Sequence, residues 1–386
     1  MNENQNSKPL ISLIIPTRER ADTLLFAIKT ALDQDSNSYE VIISDNFSQD
    51  NTKEIVQGFN DSRLVYINTG KRLSMCDNFE FALNHAKGEY TIFIGDDDAI
   101  MPHAIDKLQN TIKNKSDYSV FCWHKPIYLW PKGGQDASIW ILPFNTRLYE
   151  VDLKKRAKFV ISMGGTGCGL LPSIYHCAVK KSVLEKIKNQ TGRVFHSTTP
   201  DIGTAFALPV FLDKALNVDY LVTITGQSPK SNSVTTYTKG DQLNTRKFLE
   251  EYKGYKIHKS LFPGIDPVAN LMPDTILVAM DKFPKFYSGM KFNYNAMWSR
   301  LLKSSNDYNL GLTITKIIQK RKQINQYHNF NSIKFLFYCI FWKLPDLYRQ
   351  LSHKTVELGP FAKKVPDNIS DFVKQLAIYE KSRKIK

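Results

Sequence analysis

Two hydrophobic rhythms alternate along the first 125 residues and then lapse. "ISLIIP", Ile11 to Pro16, is a continuous apolar run of the kind shown by a strand buried on both faces. "ADTLLFAIKTALDQ" follows, with Leu24, Leu25, Ile28, Ala31 and Leu32 at helical spacing. The unit recurs as "EVIISD" with "SQDNTKEIVQGF", "RLVYIN" with "DNFEFALNHAKG", and "YTIFIG" with "PHAIDKLQNTIKN", before a last strand, "YSVFCWH". Repeated strand and helix predict an α/β fold: a right-handed, mainly parallel sheet flanked by helices on both faces.

Open sheets of this kind bind ligands beyond the carboxyl ends of their strands. Those ends carry "PTRER", "DNFSQD", "NTGKR" and "GDDDA", so one mouth is expected to gather Arg18, Asp45, Arg72, Asp96 and Asp98. No GxGxxG follows the first strand, which argues against a dinucleotide site of the Rossmann kind.

From about residue 130 to 240 the pattern is less regular and richer in small residues, including "SMGGTGCGLLPS" and "TGQSPKSNSVTT". Such segments suit active-site loops, with plain surface connection as the alternative. Between them, "YHCAVKKSVLEKIKN" reads as a helix. "STTPDIGTAFALPVFL" sets Asp201 directly after a proline at a helix start, where a carboxylate is also the ordinary cap. Beyond residue 241 the chain is helical and basic, giving two expected regions, 8–240 and 241–386. The apolar run Phe335 to Trp342 is short of the roughly 20 residues that cross a bilayer. Flanked by Lys334, Lys343 and Arg349, it fits a helix lying on anionic lipid; packing on the first region or on a dimer partner is the alternative.

Composition narrows the class. A hydrophobic content of 42% with 23% charged residues over 386 positions is that of a globular chain. The amino terminus lacks a basic stretch followed by a long apolar one, so the expected location is cytoplasmic, peripheral on the inner membrane face. Five cysteines, without CxxC spacing, predict reduced thiols and no structural zinc. Three Asn-x-Ser/Thr sequons, at Asn46, Asn189 and Asn368, are expected to be chance matches. A formal charge of +15 attracts polyanions: nucleic acid, anionic lipid or phosphate-bearing substrates. With no zinc-finger, homeodomain or RRM pattern, nucleic acid is not the expected partner.

"YTIFIGDDDAIMP" carries the sharpest signal. Three successive aspartates at a strand end repel one another, so something positive is expected there. Two carboxylates spaced by one residue can share a hard cation, Mg²⁺ or Mn²⁺ rather than zinc, with an ion-free acidic turn as the alternative. His176 and His196 flank the loop region, and a lone histidine is more often hydrogen-bonded structure than a ligand. Asn78 is expected to orient the helix that carries it.

Taken together, "PLISLIIPTRERADTLLFAIKTALDQ", "YEVIISDNFSQDNT" and "NFEFALNHAKGEYTIFIGDDDAIMP" resemble glycosyltransferase family 2 over roughly residues 8–125. A weaker likeness to its bacterial polysaccharide-assembly branch runs through "PSIYH", "STTPDI" and "GQSPKSNS". The resemblance implies the GT-A fold, to which the residue pattern beyond 241 adds a mostly helical carboxyl-terminal extension. It implies that Pro16 and Thr17 lie under a nucleotide base, with Arg18 beside them in a loop that departs from the family's commoner aromatic-Asn pair. Asp45 would bind uracil, Arg72 would approach the base or diphosphate, Asp96 the ribose, and Asp98 would hold the metal. Asp97 is counted with the nucleotide-binding residues of this mouth, though expected to point away from the ion. The implied reaction is inverting transfer from a nucleotide sugar, UDP-linked, to a glycan or lipid-linked hydroxyl, with Mn²⁺ or Mg²⁺ and Asp201 as base. Homo-oligomers through the carboxyl-terminal helices are a further expectation. A sugar nucleotidyltransferase is the alternative enzyme, disfavoured by "PTRER" where a glycine-rich basic loop belongs; a catalytically inactive membrane- or polyanion-binding protein is the alternative non-enzyme.

Overall fold

In the amino-terminal half of the main sheet, each β-strand is an apolar run from the sequence, and neighbouring strands share one register. In the computed structural model, β1 (Ile11–Thr17) pairs in parallel with β2 (Tyr39–Asp45) and with β4 (Tyr90–Phe93), and β2 pairs in parallel with β3 (Leu64–Asn68). The structure describes residues 8–140, 147–165, 171–231, 248–252, 254–261, 267–304, 332–341 and 364–384. Helices α1 (Ala21–Leu32), α2 (Thr52–Gln57) and α3 (Met75–His85) make the crossovers. Side chains of β1 alternate: Ile11, Leu13 and Ile15 enter one core and Ile14 the other, as the two-residue period of a strand requires.

After β4 the chain forms β5 (Ala99–Ile100), α4 (Ala104–Asn114), β6 (Val120–Cys122), β7 (Ile127–Leu129), β8 (Ser138–Trp140), β9 (Tyr149–Asp152) and α5 (Leu153–Ser162). It continues as β10 (Cys177–Lys180), α6 (Lys181–Thr191), α7 (Pro200–Phe211), β11 (Lys214–Asn217) and β12 (Thr223–Gln227). The main sheet runs β3-β2-β1-β4-β10-β6-β11-β9, and a smaller one runs β5-β12-β7-β8. Parallel joins dominate the first half, as expected. β10 is antiparallel to both β4 and β6, and β9 is antiparallel to β11.

Two sequence expectations are corrected here. "YHCAVKKSVLEKIKN" is not helical from its start: Cys177–Lys180 is a strand, and the helix begins at Lys181. The slot between β4 and β6 selects that conformation, since Ile174 O and His176 N already bond to Phe93 and feed the next residues into the ladder. The stretch from 130 to 240 is also more ordered than its composition implies, because its described part supplies strands to both sheets.

The carboxyl-terminal region contributes α8 (Pro267–Lys282), α9 (Pro284–Tyr287), α10 (Tyr294–Ser304), α11 (Ser332–Phe341) and α12 (Ile369–Lys384). Phe372 and Leu376 of α12 join the core that holds Leu13 and Leu24, and Ile276 of α8 joins the one that holds Phe93 and Phe206. α8 and α12 are therefore built onto the sheet's own cores, while Met297 and Trp298 of α10 form a third cluster with Leu261 and Leu277. Residues 305–331 and 342–363, which include "ITKIIQKRKQINQYH" and Trp342, lie outside the described residues. No helix among the described residues is long and apolar enough to cross a membrane.

Candidate functional site

Register builds the mouth. Thr17, Asp45 and Asn68 stand at one level across β1, β2 and β3, and Pro16 is level with Ser44. β4 carries on past Phe93, with Ile94 N bonded to Ile14 O at 3.1 Å, and delivers Asp96 against Thr17, whose hydroxyl donates to Asp96 Oδ2 at 2.7 Å. Asp45 is buried and accepts three bonds: from Tyr66 Oη at 2.6 Å, Asn68 Nδ2 at 2.9 Å and Ser48 N at 2.9 Å. Behind it, the Ser44 hydroxyl donates to Asn78 Oδ1 at 2.8 Å, so Asn78 fastens α3 to β2.

The positive partner of the aspartates is Arg20. Its Nη1 donates to Asp96 Oδ1 at 2.6 Å and lies 3.8 Å from Asp97 Oδ2, and its Nη2 donates to Lys230 O at 2.5 Å. Burial alone would lower the guanidinium's affinity for its proton; Asp96 and Asp97 outweigh that and raise it. The sequence expectation for that positive charge is a divalent cation, and the arginine it counts among the nucleotide-binding residues is Arg18, which pairs with Glu251 at 2.7 Å. A signal was available. Arg20 stands at the cap of α1, where Ser, Thr, Asp or Asn is the rule, and α1 takes its bond to Ala21 N from Asp50 instead. Arg72 lies at the rim, paired with Glu19 at 3.0 Å.

Asp98 is enclosed rather than presented. Its Oδ2 accepts from Gly95 N and Tyr175 Oη, both at 2.5 Å, and meets His176 Nε2 at 3.1 Å; its Oδ1 accepts from Gly226 N at 2.7 Å. His176 Nε2 faces a carboxylate that can only accept, so it carries the hydrogen, and Nδ1 accepts from the Thr223 hydroxyl at 2.8 Å, whose oxygen in turn accepts from Trp123 Nε1. Burial holds His176 below its ordinary value against the pull of Asp98, so the ring is neutral. Asp98 stays ionised below the usual carboxylate range, because its His176, Tyr175 and Gly95 contacts outweigh burial. His176 is thus a structural donor, in keeping with the plainer expectation.

Asp97 is the third member. Burial and the charge of Asp98 push its carboxyl up to about 7, with Arg20 opposing, and its Oδ2 accepts from Ser228 N at 2.9 Å. Gly226, Ser228 and Lys230 thus lie over the three carboxylates. Gly226 has no room for a side chain: a Cβ there would fall 1.7 Å from Asp97 O.

Asp201 occupies the first turn of α7, half-buried. Burial raises its carboxyl above the ordinary value, and the groups that bond it are backbone N–H groups, those of Ile202 and Asp201 itself. The turn before α7 is tied to the start of α3 through Cys76 Sγ, which donates to Ser197 O at 3.3 Å. No described hydrogen bond or ion pair joins Asp201 to Asp96, Asp97 or Asp98. His196 bonds Thr191 Oγ1 through Nε2 at 2.9 Å.

The family model described as glycosyl transferase family 2 matches residues 12–172, the segment that builds β1 to β4 and the aspartate turn. Over these residues the chain is similar to glycosyl transferase family 2. The chain is 36% identical over 103 residues to the GalNAc(5)-diNAcBac-PP-undecaprenol beta-1,3-glucosyltransferase of Campylobacter jejuni, covering 26% of this chain and 33% of that protein. It is 35% identical over 101 residues to the putative colanic acid biosynthesis glycosyl transferase WcaA of Escherichia coli, covering 26% and 36%. The UDP-Glc:alpha-D-GlcNAc-diphosphoundecaprenol beta-1,3-glucosyltransferase WfaP of Escherichia coli is 30% identical over 120 residues, covering 31% and 47%. The chain therefore spans between about a third and a half of the length of these relatives. Among solved structures, S. aureus TarS 1–349 in complex with UDP-GlcNAc has a TM-score of 0.48 at 14% identity over 88% of this chain and 91% of that one.

The expected Mn²⁺ or Mg²⁺ does not find a ready set of ligands among these side chains. A hard cation takes oxygen ligands, and Mg²⁺ draws as few as one or two of them from protein carboxylates, with waters and substrate phosphates completing its shell. Asp98 has no open oxygen to offer, and both oxygens of Asp96 are taken by Thr17 and Arg20. No group of three His, Cys, Asp or Glu among the described residues could hold an ion.

Proposed function

We propose that the protein is an inverting glycosyltransferase that moves a sugar from a UDP-sugar to a hydroxyl of a lipid-linked or growing glycan in bacterial surface-polysaccharide assembly. The observation that carries this reading is the meeting of Thr17, Asp45 and Asp96 at the carboxyl ends of β1, β2 and β4, where an α/β sheet takes its nucleotide. Relatives named for a UDP-Glc donor and for undecaprenol-linked acceptors support the choice of donor and acceptor class.

In this reading Pro16, Thr17 and Asp45 face the uridine and Asp96 its ribose, with Arg72 at the rim. Asp201, ionised, takes the proton of the acceptor hydroxyl as that oxygen attacks the anomeric carbon. The bond from that carbon to the diphosphate breaks, and its electron pair leaves with UDP. Negative charge grows on the diphosphate as the bond breaks, and Arg20 is the fixed cation beside the acidic turn that offsets it. Asp98 shapes the turn in place of the metal-binding role expected of it, and no step is routed through an ion.

UDP release measured over a panel of UDP-sugars with an undecaprenyl-diphosphate-linked sugar as acceptor tests the reading. Turnover with one donor, and its loss in Asp201→Asn while UDP still raises the melting temperature, are expected. Absence of both UDP release and any thermal shift with every UDP-sugar would overturn it.

A further inference from the structure

Two helices from distant parts of the chain, α5 and α11, carry three of the six exposed large hydrophobic side chains among the described residues: Phe159 at 56% exposure, Ile333 at 79% and Phe337 at 59%. On α5, Lys155, Lys158, Phe159 and Ser162 recur at helical spacing on the exposed side, opposite Leu153, Ala157, Val160 and Ile161, which are buried. On α11, Ile333, Lys334 and Phe337 form the exposed side, while Phe335 packs toward Leu261, Leu277 and Trp298. This refines the sequence expectation for the aromatic run, because Phe335 turns inward while Lys334 and Phe337 turn out.

One residue staples the two helices together. Asn293 Nδ2 donates to Ser162 O at 2.8 Å and to Tyr338 Oη at 2.9 Å. Phe159 lies one turn before Ser162, and Phe337 directly precedes Tyr338, so the exposed apolar residues belong to one neighbourhood. It is basic as well as apolar. Neither helix contains an acidic residue, and Lys155, Lys158 and Lys334 are exposed on them.

We propose that the paired faces of α5 and α11 form a docking surface for an anionic lipid bilayer, with Phe159, Ile333 and Phe337 entering the headgroup boundary and Lys155, Lys158 and Lys334 meeting lipid phosphates. Apolar side chains flanked by lysines, with no acid on either helix, are what an interfacial helix offers such a surface, and the lysines favour anionic over neutral lipid. Through the lipid-linked acceptor the inference deepens the proposed function, and the experiment below separates their failures.

Full-length protein is spun with vesicles of phosphatidylglycerol and phosphatidylcholine at equal parts, and with pure phosphatidylcholine. Binding to the first that weakens with added salt, and at least ~10-fold weaker binding by Phe159→Ser/Ile333→Ser/Phe337→Ser, are expected. UDP binding by that variant stays at the wild-type level, because none of the three side chains lies at the sheet mouth. Equal binding by the variant, or no preference for the anionic vesicles, overturns the proposal. So does a wild-type dimer in light scattering that the variant dissolves, which would assign the surface to a second copy of the chain. Loss of UDP binding in wild-type protein would strike the proposed function and leave this surface standing.

Discussion

Arg20 Nη1 lies 2.6 Å from Asp96 Oδ1 and 3.8 Å from Asp97 Oδ2, so one guanidinium serves two adjacent carboxylates at the mouth of the sheet. Both carboxylates are buried, and the arginine is nearly so. Removing one partner of such a group strands the other's charge, which costs about 3–5 kcal/mol. Arg20→Ala is expected to lose stability on that scale in urea unfolding. Asp97→Asn in the same background should recover part of the loss, because one of the two carboxylates left without their cation is then neutral, while that of Asp96 remains. A double-mutant cycle with no coupling between positions 20 and 97 would contradict the pairing.

The segment over the aspartates has a second, steric test. A Cβ on Gly226 would meet Asp97 O at 1.7 Å and its carbonyl carbon at 2.5 Å, and neither is a side-chain atom that can swing aside. Gly226→Ala should therefore shift residues 226–231, break the bonds to Asp98 and Asp97, and destabilise the fold by about 1–3 kcal/mol or more. Weaker UDP binding is expected alongside. Wild-type melting temperature and wild-type UDP affinity together would show that Gly226 does not sit against Asp97.

Asp201 gives a pH signature. Burial raises its carboxyl above the ordinary value of about 3.9, and a base works only when ionised. Turnover should fall on the acid side at a pH above the ordinary carboxylate range, and the limb should be missing from the residual rate of Asp201→Asn. That variant is expected to lose on the order of 10²–10⁴ in turnover with UDP affinity kept. A loss of UDP affinity equal to the loss of turnover would assign Asp201 to capping α7 instead.

How much of this was legible in the sequence depends on what kind of information each feature needs. β1, β2 and β4 are apolar runs whose ends name the mouth, so Thr17, Asp45 and Asp96 could be read before any coordinates. Side-chain direction is another matter. "TRER" offers Arg18 and Arg20 as equals, and only the turn into α1 sends the second to Asp96 and the first to Glu251. The fate of Asp98 depends on Gly226, 128 residues later, and that of Cys177–Lys180 on a vacant slot between two strands. Pairings at such separations leave no local periodicity to read.

His196 connects burial to acid sensitivity. Burial, helped by Lys282 and Arg193, pushes its ring down to about 4, while an unfolded chain leaves histidine near 6.5. Between those values the unfolded state binds a proton that the folded state refuses. Stability should therefore be flat in this respect above about 6.5 and fall as pH drops toward about 4. The decline is at most about 3 kcal/mol from a shift of this size, and less because the ring is only partly enclosed. His196→Gln keeps a partner for Thr191 Oγ1 without a titrating ring, so its urea-derived stability should change less between pH 7 and pH 5 than that of the wild type. If the two proteins lost the same stability over that interval, the acid sensitivity would have to come from other groups.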